Sequence, residues 1–206
     1  MFPFNATLAQ LHYERLQRRE PQLERFQDLP EVYSLPGASL GSHTWGAAVA
    51  VARHVAAHPA EVHGQRVIEL GAGTGLLGLT CAQSGAASVL LTDLEVNVPR
   101  LQRSVDHNRL GNIAQVRALD WSEKHPWLTR HDLVVMADVV YYDNAKLFEH
   151  LVDTVQECAG RVWLGYKERD GESEAVFFDL MRERHFRITE QRQLDKDHKL
   201  VIFCPG

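Results

Sequence analysis

The stretch Val67-Ile68-Glu69-Leu70-Gly71-Ala72-Gly73-Thr74-Gly75 is an apolar strand that runs into a turn with Gly at every second position. A helical pattern follows at once. Residues without a Cβ let the chain turn that sharply and let a ligand touch backbone. Such a turn suits a nucleotide-type cofactor held at the carboxyl end of a strand. About twenty residues on, Val89-Leu90-Leu91-Thr92 ends in Asp93, an acid placed to take ribose hydroxyls. The alternative for Asp93 is the N-cap of the next helix. Asp120-Trp121 follows the strand pattern over 113–118; the indole can stack on an adenine, with a neighbouring amide reading the base edge, or can simply fill core. The last cluster is Ala137-Asp138-Val139-Val140-Tyr141-Tyr142, a carboxylate with phenols where a group would be transferred. Together these residues argue for an enzyme.

Two registers of the glycines imply two cofactors. Gly73-Thr74-Gly75-Leu76-Leu77-Gly78 fits GxGxxG, the dinucleotide fingerprint, whose pyrophosphate sits on a helix N-terminus. In that register the first Gly is two residues late, the strand 66–70 having already ended at Gly71, and Gly78 falls inside the helix. The register Glu69-x-Gly71-x-Gly73-x-Gly75 fits the strand boundary and puts an acid at the strand's last turn. It resembles motif I of the seven-strand methyltransferases. That resemblance implies S-adenosylmethionine, a cofactor with no phosphates and an α-amino group that suits a carboxylate near the turn. The dinucleotide register implies a dehydrogenase and a nicotinamide cofactor.

The elements that must position these residues alternate from residue 47 onward. Helical patterns cover 47–57, 74–84, 95–109, 144–158 and 172–184, several of them closed by Gly or Pro: Pro59, Gly85, Gly111 and Gly160. Strand patterns cover 66–70, 88–92, 113–118, 133–137 and 161–166. The run 133–137 is continuously apolar, as expected of a central parallel strand buried on both faces. Two final strands, 186–192 and 199–204, are joined by the polar turn Asp195-Lys196-Asp197, and a connection so short makes an antiparallel hairpin. The predicted fold is α/β: a doubly wound, seven-stranded, mostly parallel sheet with an antiparallel last strand and helices on both faces. It matches the Rossmann-like class I methyltransferase fold, with ligands outside the carboxyl ends of the strands near the topological switch. Residues 1–40 are set apart as an N-terminal extension beside or over the cleft. A short helix is expected over Thr7–Arg19, and no element is assigned to 22–35. Residues 41–206 form the predicted methyltransferase domain.

Three motifs carry a more specific resemblance: E-x-G-x-G-x-G over Glu69–Gly75, Leu119-Asp120-Trp121, and D-x-x-Y over Asp138–Tyr141. With them the chain resembles the family 16 protein-lysine methyltransferases, the group of the valosin-containing-protein lysine methyltransferase and related elongation-factor and Hsp70 enzymes. Trp45 and the segment Tyr166–Asp170 fall in corresponding places, and the resemblance covers residues 40–204. A departure is Gly46, where the family often has Asp. The resemblance implies a protein substrate methylated on lysine. It also implies S-adenosylmethionine held by Trp45, Glu69, Gly71, Gly73, Gly75, Asp93, Asp120, Trp121 and Ala137, with Asp138 and Tyr141 as the catalytic residues. Only a neutral amine attacks, the ordinary lysine pKa is about 10.4, and a carboxylate beside it favours the ammonium. Asp138 therefore reads as the group that captures and orients the ammonium rather than as a strong base. Tyr141 would wall the pocket through cation–π or hydroxyl contact. The alternatives are helix capping by Asp138 with core packing by Tyr141, a small-molecule or Arg/His methyltransferase, and a non-catalytic binding module. Base methylation is not expected, because no N/D-P-P-[YF]-like motif follows residue 137.

At 206 residues, 45% hydrophobic and 24% charged, the chain has the composition of one globular domain with at most a short extension. A net charge of −5 argues against a broad nucleic-acid surface. Arg15, Arg18, Arg19 and Arg25 read as a solvated helix face interleaved with Glu14, Glu20 and Glu24. No apolar run approaches the ~18 residues of a membrane span. Cys81, Cys158 and Cys204 are widely spaced and read as free thiols of a reducing compartment. A monomer in the cytoplasm, with the nucleus as a second location, is expected. His54, His58 and His63 have metal-ligand spacing, but no zinc site is expected of them, nor a nucleophile at Cys81. Glu168 and Arg169 read either as channel lining or as a surface pair.

Overall fold

Leu133, Val134, Val135 and Met136 are all fully buried, and successive side chains enter two different cores. Strand side chains alternate between faces, so an unbroken apolar run is what a strand covered on both sides requires. This strand lies at the middle of the sheet in the computed structural model, which describes residues 20–35, 42–140, 145–169 and 172–206.

The strands are β1 (Gln22–Glu24), β2 (Val32–Ser34), β3 (Arg66–Leu70), β4 (Ser88–Asp93), β5 (Ala114–Ala118), β6 (His131–Ala137), β7 (Ala159–Lys167), β8 (Phe186–Gln193) and β9 (His198–Pro205). The helices are α1 (Gly46–Ala57), α2 (Leu76–Gln83), α3 (Val98–His107), α4 (Ala145–Cys158) and α5 (Glu172–Glu183). Seven strands form one sheet in the order β5-β4-β3-β6-β7-β9-β8. The pairs from β5 through β7 are parallel, and β9 inserts antiparallel between β7 and β8. The predicted doubly wound sheet with an antiparallel last strand is the observed one. The chain winds outward from β3 to β5 and then returns to β6, so the topological switch lies between β3 and β6.

Helices cover both faces. Val51 and Val55 of α1, Leu77 and Leu79 of α2, and Leu101 and Val105 of α3 pack with Val67, Leu133 and Val135 on one side. Phe148, Leu151 and Val155 of α4, with Phe177 and Met181 of α5, pack with Ile68, Val134, Met136 and Leu164 on the other. Every residue of α2 from Leu76 to Ala82 is buried, which explains why that helix has no polar stripe.

Element boundaries differ from the sequence pattern for local reasons. Residues 95–97 form a 3-10 turn and the α-helix begins only at Val98. Pro99, which has no N–H to give, fits that first turn. Helix α2 starts at Leu76 because Gly75 is left-handed at φ +86°.

Residues 22–35 hold a hairpin that the sequence reading did not assign. β1 and β2 pair antiparallel over three residues each, around Asp28 at φ +59°. Strands this short show no readable periodicity, and the hairpin is held by distant side chains instead. The Tyr33 N–H donates to Ser104 Oγ (3.0 Å), and Asn108 Nδ2 donates to the Glu31 carbonyl (2.6 Å). Leu29 and Val32 join the core on the α1–α3 side. The helix expected over Thr7–Arg19, and the positions of Tyr141 and Asp170, lie outside the described residues.

Candidate active site

The carboxyl ends of β3, β4 and β6 open into one cleft at the switch point. Its walls include Trp45, Glu69, Gly71, Gly73, Asp93, Asp120, Trp121, Ala137 and Asp138, so nine of the eleven residues singled out from sequence come together. Gly75 closes the same turn from the helix side, and Tyr141 lies outside the described residues.

The turn needs its glycines. Gly71, Gly73 and Gly75 have φ of +70°, +57° and +86°, a region that L side chains enter at a cost. At Gly71 space is also short, since a Cβ there would stand 3.0 Å from Val139 Cγ1 and 3.3 Å from Trp121 Cζ2. The loop is pinned from several sides. The Ala72 N–H donates to the Thr92 carbonyl (2.9 Å), the Gly73 N–H donates to Asp93 Oδ2 (2.7 Å), and Arg100 Nη2 reaches the Gly73 carbonyl (3.4 Å).

Glu69 is 2% exposed, and its Oε2 accepts the Gly78 N–H at 2.9 Å. Burial pushes its carboxyl up to about 8, against the lowering effect of the Gly78 hydrogen bond and with a smaller raising effect from Asp93. Gly78 is the reason the acid fits, because a Cβ there would meet Leu91 Cδ2 at 2.3 Å and Glu69 Oε2 at 2.6 Å. The third glycine of the rejected GxGxxG register, Gly78, is therefore a packing position under the cleft.

Asp93 accepts three hydrogen bonds: Gly73 N–H on Oδ2, and Leu94 N–H (2.8 Å) and Asn97 Nδ2 (2.7 Å) on Oδ1. A carboxylate has about four lone-pair positions, so one remains beyond these three bonds. Asp93 thus clamps the Gly loop as well as lining the cleft. Asp120 turns its Oδ1 to Ser122, accepting from the Ser122 hydroxyl (2.7 Å) and N–H (2.9 Å). Those two bonds hold its carboxyl below the usual range, the hydroxyl foremost.

On the rim, the Trp45 ring lies 4.2 Å from that of His43, and Trp45 remains 37% exposed. Thr44 Oγ1 bonds both Thr74 of the Gly loop and Glu24 of β1, so the hairpin reaches the cleft through one carboxylate. Gly46 has its own explanation: a Cβ there would lie 2.6 Å from Nε2 of His198, whose ring fills the space.

Asp138 stands one residue past β6 with φ +55°. The other described non-glycine residues at positive φ (Asp28, Arg109 and His185) lie in turns away from the cleft wall. The Asp138 N–H donates to the Gly165 carbonyl (2.9 Å), which sets the side chain between the ends of β6 and β7. Its carboxylate is 4% exposed and accepts from Arg169 Nη2 on Oδ1 at 3.1 Å. Of the two sequence readings of Arg169, the structure shows a third outcome, a partner for the candidate acceptor-binding acid.

Sequence reasoning missed Asn97 and Arg100 under the Gly loop, Gly78 under Glu69, and the Asp138–Arg169 pair. The signal for the pair was that Asp138 and Arg169 sit just beyond neighbouring parallel strands. The signal for Arg100 was a cation on the helix face that also carries Leu101 and Val105. His54 is engaged with Glu61 and Arg192, and among the described residues no cluster of three or more His, Cys, Asp or Glu side chains could hold a metal.

Among the described residues the cleft wall holds the carboxylates of Asp93, Asp120 and Asp138, the buried acid Glu69 with its carboxyl pushed up to about 8, and no Lys or Arg. That donor set fits a cationic ligand that carries ribose and adenine, and it gives a pyrophosphate no cationic partner.

Comparison with known proteins agrees with this chemistry. A family model described as lysine methyltransferase matches residues 31–184. The chain is 33% identical over 174 residues to the EEF1A lysine methyltransferase 3 of Mus musculus, covering 81% of this chain and 73% of that one. It is 32% identical over 165 residues to the protein N-lysine methyltransferase METTL21A of Xenopus tropicalis, covering 77% and 74%. In fold it is similar to the magnesium protoporphyrin IX methyltransferase of Synechocystis PCC 6803 with bound SAM, at a TM-score of 0.62 and 19% identity over 77% of this chain and 81% of that one.

Proposed function

The chain belongs to the lysine methyltransferase family and is an S-adenosylmethionine-dependent protein-lysine methyltransferase; we propose that the cleft between β3 and β6 holds the cofactor and that Asp138 receives the acceptor lysine. The observation that carries this assignment is the cleft's wall of three aspartates and one buried glutamic acid, without a Lys or Arg among the described residues. When bound, S-adenosylmethionine supplies an activated, electrophilic methyl group on a positively charged sulfur.

The chain's own residues then have distinct tasks. Trp45, Glu69, Gly71, Gly73, Gly75, Asp93, Asp120, Trp121 and Ala137 form the cofactor's contact set. The left-handed glycines open backbone to contact, Asp93 offers its remaining lone pair to a ribose hydroxyl, and Trp121 offers a ring face. Asp138 takes an incoming ammonium on its carboxylate and orients the nitrogen into the cleft. Holding the reacting atoms in line is worth a large share of the rate in such a transfer. The amine must lose its proton before it attacks, and water at the open rim accepts it. Tyr141, three residues beyond Asp138, is assigned the wall of the same acceptor pocket.

The substrate is a protein, and EEF1A is the first to try, because the relative from Mus musculus is named for it. The net charge of −5 supports a site that does not work on nucleic acid. Three free cysteines support the cytoplasm, with the nucleus as a second compartment, and action as a monomer completes the reading. Among the described residues no helix is long and apolar enough to cross a membrane.

The test is incubation of the purified chain with methyl-labelled S-adenosylmethionine and either EEF1A or cell lysate. Label in a discrete protein, recovered as methyl-lysine on hydrolysis, is the expected result. Label confined to small molecules would reassign the substrate class.

A further inference from the structure

We propose that Arg169 is a positioning residue of the acceptor site. Its guanidinium holds the Asp138 carboxylate and offsets its charge, so that the acceptor amine sheds its proton at a lower pH than beside a lone carboxylate. The inference rests on the assignment of Asp138 to the acceptor.

The pair is built by the fold. β6 and β7 run parallel with Ala137 opposite Gly165, which places the residues beyond their ends side by side. Asp138 is fixed by its N–H on the Gly165 carbonyl. Arg169 is fixed as well: its N–H donates to Glu174 Oε1 at 2.9 Å, and its Nη1 reaches the Lys167 carbonyl at 3.4 Å. Glu174 is itself only 5% exposed. The guanidinium meets Asp138 through Oδ1 alone, and Oδ2 takes no bond among the described residues. One oxygen is held by the arginine and the other is left for the amine.

The surrounding charges make Arg169 the relevant cation. Lys167 is paired with Asp197, and Lys199 with Glu168. Glu174 faces the pair from α5. Tyr166, next to it on β7, keeps its phenolic proton, its pKa raised chiefly by burial. On the cleft side stand Glu69, Asp93 and Asp120. The cleft wall therefore offers an amine at Asp138 further acidic groups and, among the described residues, no Lys or Arg. A lone carboxylate within reach raises an amine pKa by about 1–3 units. A cation 3.1 Å from that carboxylate offsets part of the effect at the amine.

The experiment follows methyl-lysine formation from methyl-labelled S-adenosylmethionine, with cell-lysate protein as acceptor, from pH 6.5 to 9.5. It compares the full chain with R169Q and R169K. Calorimetric affinity for S-adenosylhomocysteine is measured in parallel and is expected to be the same in all three. R169Q is expected to shift the rising limb of the rate profile up by about one pH unit, with roughly a tenfold loss near neutrality that closes at high pH. R169K, which keeps the charge, is expected to bring the limb back. A loss of equal size at every pH overturns the proposal. So does a gain in rate with a lower KM, which would mean that the guanidinium merely occupies the amine's place. If the unaltered chain forms no methyl-lysine, it is the underlying assignment that fails. An unshifted R169Q profile with an active parent enzyme sinks the arginine's role alone.

Discussion

The carboxylate of Glu69, at the end of β3, accepts the backbone N–H of Gly78, the third residue of α2, at 2.9 Å. The residue before this helix is Gly75, which has no side chain to offer as a cap. The first N–H groups of any helix lack partners, and here a strand supplies one of them from beneath. An acid near a helix N-terminus is electrostatically favoured, yet burial outweighs that gain and Glu69 titrates at about 8.

Stability should therefore depend on pH through Glu69. Between 4.5, its ordinary value, and about 8 the folded form keeps a proton that the unfolded chain has released. Rising pH then lowers stability across that window by up to about 1.4 kcal/mol per unit. Below 4.5 both states are protonated and above 8 both are ionised, so the effect levels off. Glu69→Gln keeps an acceptor for Gly78 and removes the titration. Denaturant melts at pH 5 and pH 8 should show wild type losing several kcal/mol relative to the variant. Parallel curves would refute the buried protonated acid.

Gly71→Ala forces a side chain onto φ +70° and brings it to 3.0 Å from Val139 Cγ1. The left-handed conformation alone costs about 1–2 kcal/mol. In a domain of this size that corresponds to a Tm lower by roughly 2–8 °C, with affinity for S-adenosylhomocysteine falling as well. A variant with unaltered Tm and affinity would mean that the turn does not depend on this glycine.

Asp93→Asn should be more costly to the cofactor site than its size suggests. The carboxylate accepts from three donors, whereas an amide must turn its own NH2 toward one of them. Hydrogen bonds to a charged group are worth about 1.5–3 kcal/mol, so a loss of roughly 10–100-fold in S-adenosylhomocysteine affinity is expected by calorimetry. A change of less than twofold would remove Asp93 from the site.

The parts of this molecule that sequence reveals are those fixed by local rules. The run 133–136 announces a strand buried on both faces, and alternate glycines at 71, 73 and 75 announce a left-handed turn, because only local geometry is involved. The polar turn at 195–197 likewise announces the antiparallel end of the sheet. What stays hidden depends on residues distant in sequence. The β1–β2 hairpin is held by Ser104 and Asn108, 71 and 77 residues from their partners. Arg169 is 31 residues from Asp138 and meets it only because two parallel strands are neighbours. Asp93 is legible as an acid at the end of its strand, but its grip on Gly73 and Asn97 requires the folded loop. Gly46 departs from the family pattern in sequence, and only the His198 ring shows what occupies the space.

The most direct test of the central claim compares Asp138→Asn with the unaltered chain in two measurements, S-adenosylhomocysteine affinity and methyl-lysine turnover. A residue that acts on the acceptor and not on the cofactor should lose turnover while the affinity stays within about twofold. Matched losses of affinity and turnover, or turnover that survives the substitution, would contradict the assignment of Asp138 to the lysine.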